Sequence, residues 1–332
     1  MPWWSGAPAG STRNVPLRRI RRDRNGGSAA PATNWHETLT KLEGRNAEAF
    51  IHFALVENPA LPTQSRLPGD RGTVLQYRAD RGPVAYVLAV FALRLAIWTL
   101  ASPLVCGLAV LPLAILGMFV APINHHHQHV NTFRKRWVNR LYDLVLALQA
   151  GVAPYAWVLH HNLGHHAHYL NQPPNENPDE SRWTRQDGTP MGRFEYSLDL
   201  LLHHQIDIVR VGLQRPRVFR SFLWMKLPLW GLVALGLWLR PLETTLVFLV
   251  PSFLTLFHTI WATYEHHATC PNTNHLDASR NREHWLYNWL TGNLGFHTAH
   301  HLRPGLHWSR LPELHAQIRD QIPEEQRLKS FW

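Results

Sequence analysis

The stretch PVAYVLAVFALRLAIWTLASPLVCGLAVLPLAILGMFVAPI, residues 83–123, decides the fold class of this protein. Its 41 residues contain a single charged side chain, Arg94. One bilayer crossing needs about 20 apolar residues, so the stretch is long enough for two. The residues ASP at 101–103 supply a turn near its middle. The pattern predicts a helical hairpin in the membrane, with spans over about 84–100 and 104–123.

A second apolar pair follows later in the chain. Only RPLE separates FLWMKLPLWGLVALGLWL (222–239) from TTLVFLVPSFLTLFHTIWAT (244–263). Between the pairs, LYDLVLALQAGVAPYAWVL (141–159) is apolar but contains polar residues, Gly151 and Pro154, which favours an interfacial or buried helix over a span. The sequence therefore predicts an all-α membrane protein, with four transmembrane helices as two hairpins and a cytoplasmic helical cap.

The composition limits the partners and sets the expected topology. A net charge of +10 and 15 tryptophans fit a membrane protein with cationic flanks and an aromatic belt. The basic residues lie beside apolar segments rather than on one helix face, which argues against a nucleic-acid partner. Cys106 and Cys270 form neither a disulfide framework nor a C-x-x-C metal motif. Arginines cluster before the first hairpin and between the two, so the positive-inside rule predicts cytoplasmic termini and histidine clusters.

The remaining segments flank this membrane domain. Residues 1–35 are rich in Arg, Gly, Pro and Ala and are predicted to be a disordered basic tail. Residues 36–82 are predicted to be a cytoplasmic N-terminal segment, with a short helix around HETLTKLEGRNAEAF (36–50). The membrane domain is expected over residues 83–320, followed by a C-terminal tail at 321–332.

Histidines are concentrated where the apolar segments end. The chain has 23 of them, and four clusters stand out: HHHQH (125–129), HNLGHH (161–166), YEHH (264–267) and NLGFHTAHH (293–301). Residues three or four apart share one face of a helix, so pairs such as His125 and His129 can point at one metal ion. His126 and His127 are expected to turn away. Imidazole suits iron, zinc, copper or nickel, and the clusters together hold too many rings for one ion and about enough for two.

These boxes resemble the integral-membrane fatty acid desaturase and alkane hydroxylase superfamily. The pattern H-x-x-x-H, H-x-x-x-H-H and H-x-x-H-H, on a four-span layout, covers about residues 84–315. HNLGHH and the EHHATC that follows Tyr264 look most like the membrane alkane hydroxylases. NLGFHTAHHLRPGLHW (293–308) is more similar to the third box of acyl desaturases. It also resembles a membrane decarboxylase of this superfamily that converts fatty acids into terminal alkenes.

The resemblance implies a non-haem di-iron site and a set of ligands. Carried over residue by residue, the ligands are His125, His129, His161, His165, His166, His266, His297, His300 and His301. His267 competes with His266 for one place. Glu265 and Asp179 are candidates for carboxylates that accept a ring N–H from a ligand.

The resemblance also implies the chemistry and the partners. Two ferrous ions would use dioxygen, and electrons from a cytoplasmic ferredoxin- or rubredoxin-like protein, to oxidise a fatty acid or acyl chain held between the spans in membrane lipid. Desaturation is favoured, while hydroxylation and oxidative decarboxylation stay open. A metal transporter or sensor is the alternative from a different class, but it predicts ligands within the spans, where only His258 lies deep. The H-E-x-x-H motif of zinc hydrolases is missing.

Overall fold

The structure is a computed structural model that describes residues 73–331. The predictions for the basic tail at 1–35 and for the short helix at 36–50 lie outside the described residues, as does most of the segment 36–82. In the described range the α-helices are α1 (Arg81–Leu100), α2 (Pro103–His129), α3 (Arg136–Ala150), α4 (His166–His168), α5 (Arg193–Gln214), α6 (Pro216–Leu239), α7 (Pro241–Thr244), α8 (Val250–His267), α9 (Trp285–Thr291), α10 (His297–Leu302) and α11 (Leu311–Ile318).

Shorter elements complete the described part of the chain. Two π-helices are Val158–His165 and Thr245–Leu249. The 3-10 turns are Arg78–Asp80, Trp308–Arg310, Arg319–Gln321 and Glu324–Gln326, and the strands are β1 (Asn281–Arg282) and β2 (Arg327–Leu328).

Four helical stretches are long and apolar enough to cross a membrane. They are Arg78–Leu100, Pro103–His129, Pro216–Leu239 and Pro241–His267, which confirms a mostly helical protein with four candidate membrane-spanning helices. Many of their large apolar side chains are exposed, as lipid-facing surfaces require. The most exposed include Leu100, Leu104, Leu108, Trp224 and Trp238.

Proline residues mark where these helices begin. Pro103, Pro216 and Pro241 each stand in the first turn of a helix. At that position the missing N–H removes no helical hydrogen bond, and the fixed φ already suits the helix. The spans observed are longer than the predicted ones at the ends that carry histidines. α2 continues from residue 123 to His129, and the last span continues from 263 to His267.

The interrupted segment 141–159 forms two helices. α3 ends at Ala150, and Gly151 follows in the left-handed region with φ of +73°. A Cβ at Gly151 would lie 2.5 Å from the Ser252 carbonyl oxygen, so both the turn and the close approach to α8 require glycine. The buried face of α3, with Tyr142 and Leu146, packs against α1 and α2.

Arg94 ties three helical segments together inside the bundle. The side chain is fully buried, and its guanidinium donates to the carbonyl oxygens of Leu113 and Val247, each at 3.0 Å. In a regular helix the carbonyl of Val247 would accept the N–H of residue 251, but Pro251 has none. Two backbone carbonyls and the Ser252 hydroxyl thus hold the only charged residue of the opening stretch, in keeping with the pairing that intramembrane charges need.

The C-terminal part of the chain packs against the histidine-bearing region. β2 pairs in parallel with β1, joining Arg327 to Asn281. A cluster of buried apolar residues connects α10 and α11 to the residues that follow: Ala299, Leu306, Trp308, Leu311, Leu314, Ile318 and Ile322. Ile322 of this cluster and Arg327 of β2 lie within residues 321–332, the segment predicted to be a tail.

Candidate metal centre

The end of α2 contributes two imidazoles to the site. His125 and His129 are buried one helical turn apart, and their Nε2 atoms are 3.0 Å from each other. The ring of His125 also stacks against Trp157, with centroids 5.4 Å apart. Because α2 continues through residue 129, the helix itself holds the two side chains on one face.

The π-helix Val158–His165 divides the histidines of the second box between two groups of rings. His161 and His166 are five residues apart, and their Nε2 atoms approach to 3.1 Å. Backbone hydrogen bonds in a π-helix link residues five apart, so side chains with this spacing come closer together than in an α-helix. His165 points elsewhere, towards His267, with 3.2 Å between the Nε2 atoms.

Gly164 lets the π-helix lie against the loop that carries Asp179 and Glu180. A Cβ at this position would meet Glu180 Cδ at 2.7 Å. The glycine of HNLGHH is therefore required by close packing rather than by an unusual φ.

The short helix α10 completes both groups. His300 approaches His166, with 3.0 Å between the Nε2 atoms, while His297 and His301 approach each other at 3.2 Å. His267, the last residue of α8, lies 3.0 Å from His297 by the same measure. All these rings are buried except for the partly exposed His166.

The imidazoles form two adjoining sets. The five-histidine set, whose ligand atoms lie within 4.8 Å of one another, is His125, His129, His161, His166 and His300. The four-histidine set consists of His165, His267 and His301, which also lie within 4.8 Å, with His297 beside the last two. The sets meet where the rings of His166 and His301 stack, with centroids 4.2 Å apart.

Hydrogen bonds at Nδ1 decide which ring nitrogens are free. His165 Nδ1 lies 2.7 Å from Asp179 Oδ1, and His267 Nδ1 lies 2.8 Å from the Ala278 carbonyl oxygen. Both partners are acceptors, so both rings carry their proton on Nδ1 and turn an Nε2 lone pair towards each other. Facing lone pairs repel unless a cation lies between them. Nitrogens held about 2.1 Å from one ion at right angles would be about 3.0 Å apart, which fits the observed spacing.

Burial favours the neutral form of five of the rings outside the membrane-spanning helices. Burial, reinforced by the neighbouring histidines, holds the pKa of His161, His166 and His300 well below the usual value. The same causes lower the pKa of His297 and His301. Neutral imidazole is the form that binds a metal ion, so the donor set fits transition-metal ions.

The sequence comparison agrees with this constellation. A family model described as fatty acid desaturase matches residues 99–332. The chain belongs to the fatty acid desaturase family. Comparisons with curated proteins and with solved structures found no match. Family membership makes the chain an oxidoreductase and confirms the predicted superfamily, while the similarity to the alkene-forming decarboxylase stays a prediction.

Most of the expected ligands of this desaturase-family protein come together, with a difference at one position. The four-histidine set contains His267, whereas His266 Nε2 lies 3.2 Å from the Tyr287 hydroxyl. The His266 ring packs against the ring of His297, with centroids 4.0 Å apart, but its Nε2 points to Tyr287, whereas His267 directs its Nε2 to the nitrogens of the set. The sequence alone does not choose between His266 and His267, because both stand at the end of the same apolar segment.

Of the two carboxylates expected beside the ligands, only Asp179 contacts one of the rings. Glu265 is held by two arginines: it accepts a hydrogen bond from Arg193, and Arg282 approaches it at 2.8 Å. Its position next to His266 in the chain therefore does not bring it to the centre.

The other histidines of the boxes have partners of their own. His126 Nε2 lies 3.1 Å from the Thr291 carbonyl oxygen, and His127 lies between Thr132 and Asp143. His168 approaches Glu180 at 3.1 Å. Outside the boxes, His307 contacts Asp80 and His315 contacts Glu283. Asn293, at the start of the last box, donates to the Trp308 carbonyl oxygen.

A cavity of about 560 Å³ lies beside the centre, and sequence reasoning did not foresee it. Its walls come from the start of α1, the end of α2 and the helix α9. His126 lines the cavity, and the His126 ring stacks on His125 with centroids 5.3 Å apart. The cavity thus ends one imidazole ring away from the five-histidine set.

Proposed function

We propose that this protein is a membrane-bound, fatty acid desaturase-like di-iron oxidase. The proposed ligands of one iron are the five-histidine set, and those of the other are the four-histidine set, with His267 in place of His266. When bound, the two irons supply the capacity to use dioxygen for removing hydrogen from an unactivated alkyl chain. The observation that carries the proposal is the convergence of nine imidazoles in two adjoining sets at the ends of apolar helices.

The protein's own contribution is to position the chain and exclude water. Neighbouring methylenes of an alkyl chain are chemically alike, so the site of oxidation depends on where the walls hold the chain. The apolar cavity beside His126 supports this role, since Val84, Leu116 and Phe119 line it and it adjoins the centre. Asp179 holds the ring of His165 in one orientation.

The membrane topology is part of the same proposal. α1 and α2 would form one hairpin, and the spans Pro216–Leu239 and Pro241–His267 a second. Both termini, the histidine-bearing region and its helical cap would face the cytoplasm, with the membrane domain at residues 83–320. Arginines such as Arg134, Arg136 and Arg185 support this orientation, and they favour docking of an acidic electron-transfer protein of the ferredoxin or rubredoxin type.

Metal analysis and product analysis test the proposal together. The purified membrane protein is expected to contain about two irons per chain, as two imidazole sets require. Cells that express it under air and receive fatty acids of several lengths are expected to accumulate internal alkenes. Hydroxy acids would identify hydroxylation, and terminal alkenes would identify decarboxylation. Zinc alone in an active preparation, or no oxidised product from an iron-loaded one, would exclude the di-iron oxidase.

A further inference from the structure

The polar lining of the 560 Å³ cavity indicates which end group its occupant carries. Most of the lining is apolar, with Pro83, Val84, Leu116, Phe119 and Ile123 among the contributing residues. An extended hydrocarbon is the ligand that such walls accommodate at the end of two membrane helices. The few polar groups of the lining are then available to contact a polar group at the end of that alkyl chain.

Tyr142 offers the cavity a hydrogen-bond donor. The residue is 3 % exposed, it lines the cavity, and no atom among residues 73–331 forms a hydrogen bond with its hydroxyl. Burial, with a smaller effect of the Asp80 charge, raises the pKa of Tyr142, so the hydroxyl keeps its proton. A buried donor without a partner is costly, and an oxygen atom on a ligand would satisfy it.

The charge of the lining excludes an anionic end group. Among residues 73–331, Asp80 is the only carboxylate that lines the cavity, and no lysine or arginine of this range lines it. His307 and Trp308 contact one oxygen of Asp80 at 3.0 and 2.9 Å, so these donors already serve the protein's own carboxylate. His126 and His127 are likewise engaged with Thr291 and with Thr132 and Asp143. A ligand carboxylate bound here would lose its water next to the negative charge of Asp80, with no lining cation to compensate, and its binding would therefore be unfavourable.

We propose that this cavity binds an alkyl chain whose polar end is an uncharged oxygen acceptor, with the Tyr142 hydroxyl as its donor. Fatty alcohols, aldehydes and ester-linked acyl chains share this chemistry. Free fatty acids, whose chain ends in a carboxylate, do not. The inference rests on the proposed function, because the cavity adjoins the proposed iron ligands, and it narrows the substrate class of that site.

Photo-crosslinking tests the inference without relying on catalysis. Full-length protein in lipid nanodiscs receives diazirine probes of equal chain length that end in an alcohol, a methyl ester, a carboxylate or a methyl group, and mass spectrometry locates the adducts. The alcohol or the ester is expected to label the segments around 83–89, 116–123 and 289–292 at least tenfold more than the carboxylate. Whether the alcohol or the ester labels more strongly identifies the source of the neutral oxygen.

Two variants isolate the hydrogen bond. Tyr142→Phe is expected to weaken labelling by the neutral oxygen probes about three- to tenfold, while the methyl-ended probe is unaffected. Tyr86→Phe is the matched control, since Tyr86 lines the same cavity but its hydroxyl donates to the Leu116 carbonyl oxygen at 2.9 Å. Labelling by the methyl-ended probe shows that each variant is folded.

Three results would overturn the inference: equal labelling of these segments by the carboxylate probe, labelling elsewhere by every probe, or the same response from both tyrosine variants. Its failure is separable from that of the proposed function. If labelling is negative, two irons per chain and oxidised products from fatty acids would still support the proposed di-iron oxidase. Selective labelling by the alcohol probe would still support the proposed binding of a neutral end group even if the protein oxidised no alkyl chain.

Discussion

The two histidine sets are built on different supports. In the five-histidine set, His125 and His129 come from a membrane-spanning helix, and the ring of Trp157 stacks on His125. In the four-histidine set, Asp179 and the Ala278 carbonyl group orient two of the rings through their Nδ1 atoms. Ring orientation thus depends on helix geometry and stacking for His125 and His129 and on hydrogen bonds for His165 and His267. A substitution that removes one kind of support is therefore expected to affect metal binding in one set and not in the other.

The largest effect is expected from losing a ring of the four-histidine set. His267→Ala should abolish oxidation and lower the iron content from about two ions towards one, because the set loses one of its four imidazoles, the one that faces both His165 and His297. His266→Ala, at the neighbouring position, should retain both irons, since the Nε2 of His266 approaches the Tyr287 hydroxyl rather than the ring nitrogens of the set. Iron analysis and product yield measure both variants. Retained iron in His267→Ala and loss in His266→Ala would reverse the assignment.

A smaller effect is expected from removing an orienting carboxylate. Asp179→Asn should lower metal affinity or activity about 10- to 100-fold, because an uncharged amide oxygen is a weaker acceptor for the His165 ring N–H than the carboxylate is. The loss should fall on one iron only, leaving the five-histidine set occupied. Glu265→Gln is the control, since that carboxylate pairs with Arg282 rather than with a ring. A titration of iron release with a chelator measures both variants, and equal losses would show that Asp179 has no special role.

Packing around the π-helix affects both sets, because its histidines serve both. Gly164→Ala should destabilise the protein by about 1–3 kcal/mol, the usual cost of overpacking, since the new methyl group would collide with Glu180. Gly107→Ala introduces the same methyl group inside α2, where nothing lies within 4 Å, and should be neutral or slightly stabilising. Thermal unfolding in detergent compares the two. Equal melting temperatures would mean that the π-helix tolerates displacement.

The smallest effect on the metals is expected at His127, although it stands between two members of the five-histidine set in the chain. His127→Ala should keep both irons and the product pattern, because the ring contacts Thr132 and Asp143 instead of the set. Its cost should be confined to stability, at about 1–3 kcal/mol for a lost buried hydrogen-bond partner. Loss of iron in this variant would mean that the end of α2 is oriented differently.

Several features of the centre follow from local patterns that a sequence displays. Apolar runs such as 83–123 locate the spans, because hydrocarbon thickness sets their length. The spacing of His125 and His129 places both rings on one helix face. The second box shows the limit of such arguments. The helical period of 3.6 pairs His161 with His165, whereas the π-helix brings His161 together with His166 and sends His165 to the other set.

By itself, the sequence determined the helical membrane class, the four apolar segments and the histidine boxes at their ends, since these depend on composition and short-range periodicity. Only the tertiary structure decided which rings share a set, that His267 rather than His266 joins them, and that a cavity with the Tyr142 hydroxyl lies beside them. Those outcomes depend on contacts between residues far apart in the chain, such as His165 with His267 and His166 with His300. The reason is physical: local spacing orients a side chain around its own helix, but the packing of other helices decides what that side chain meets.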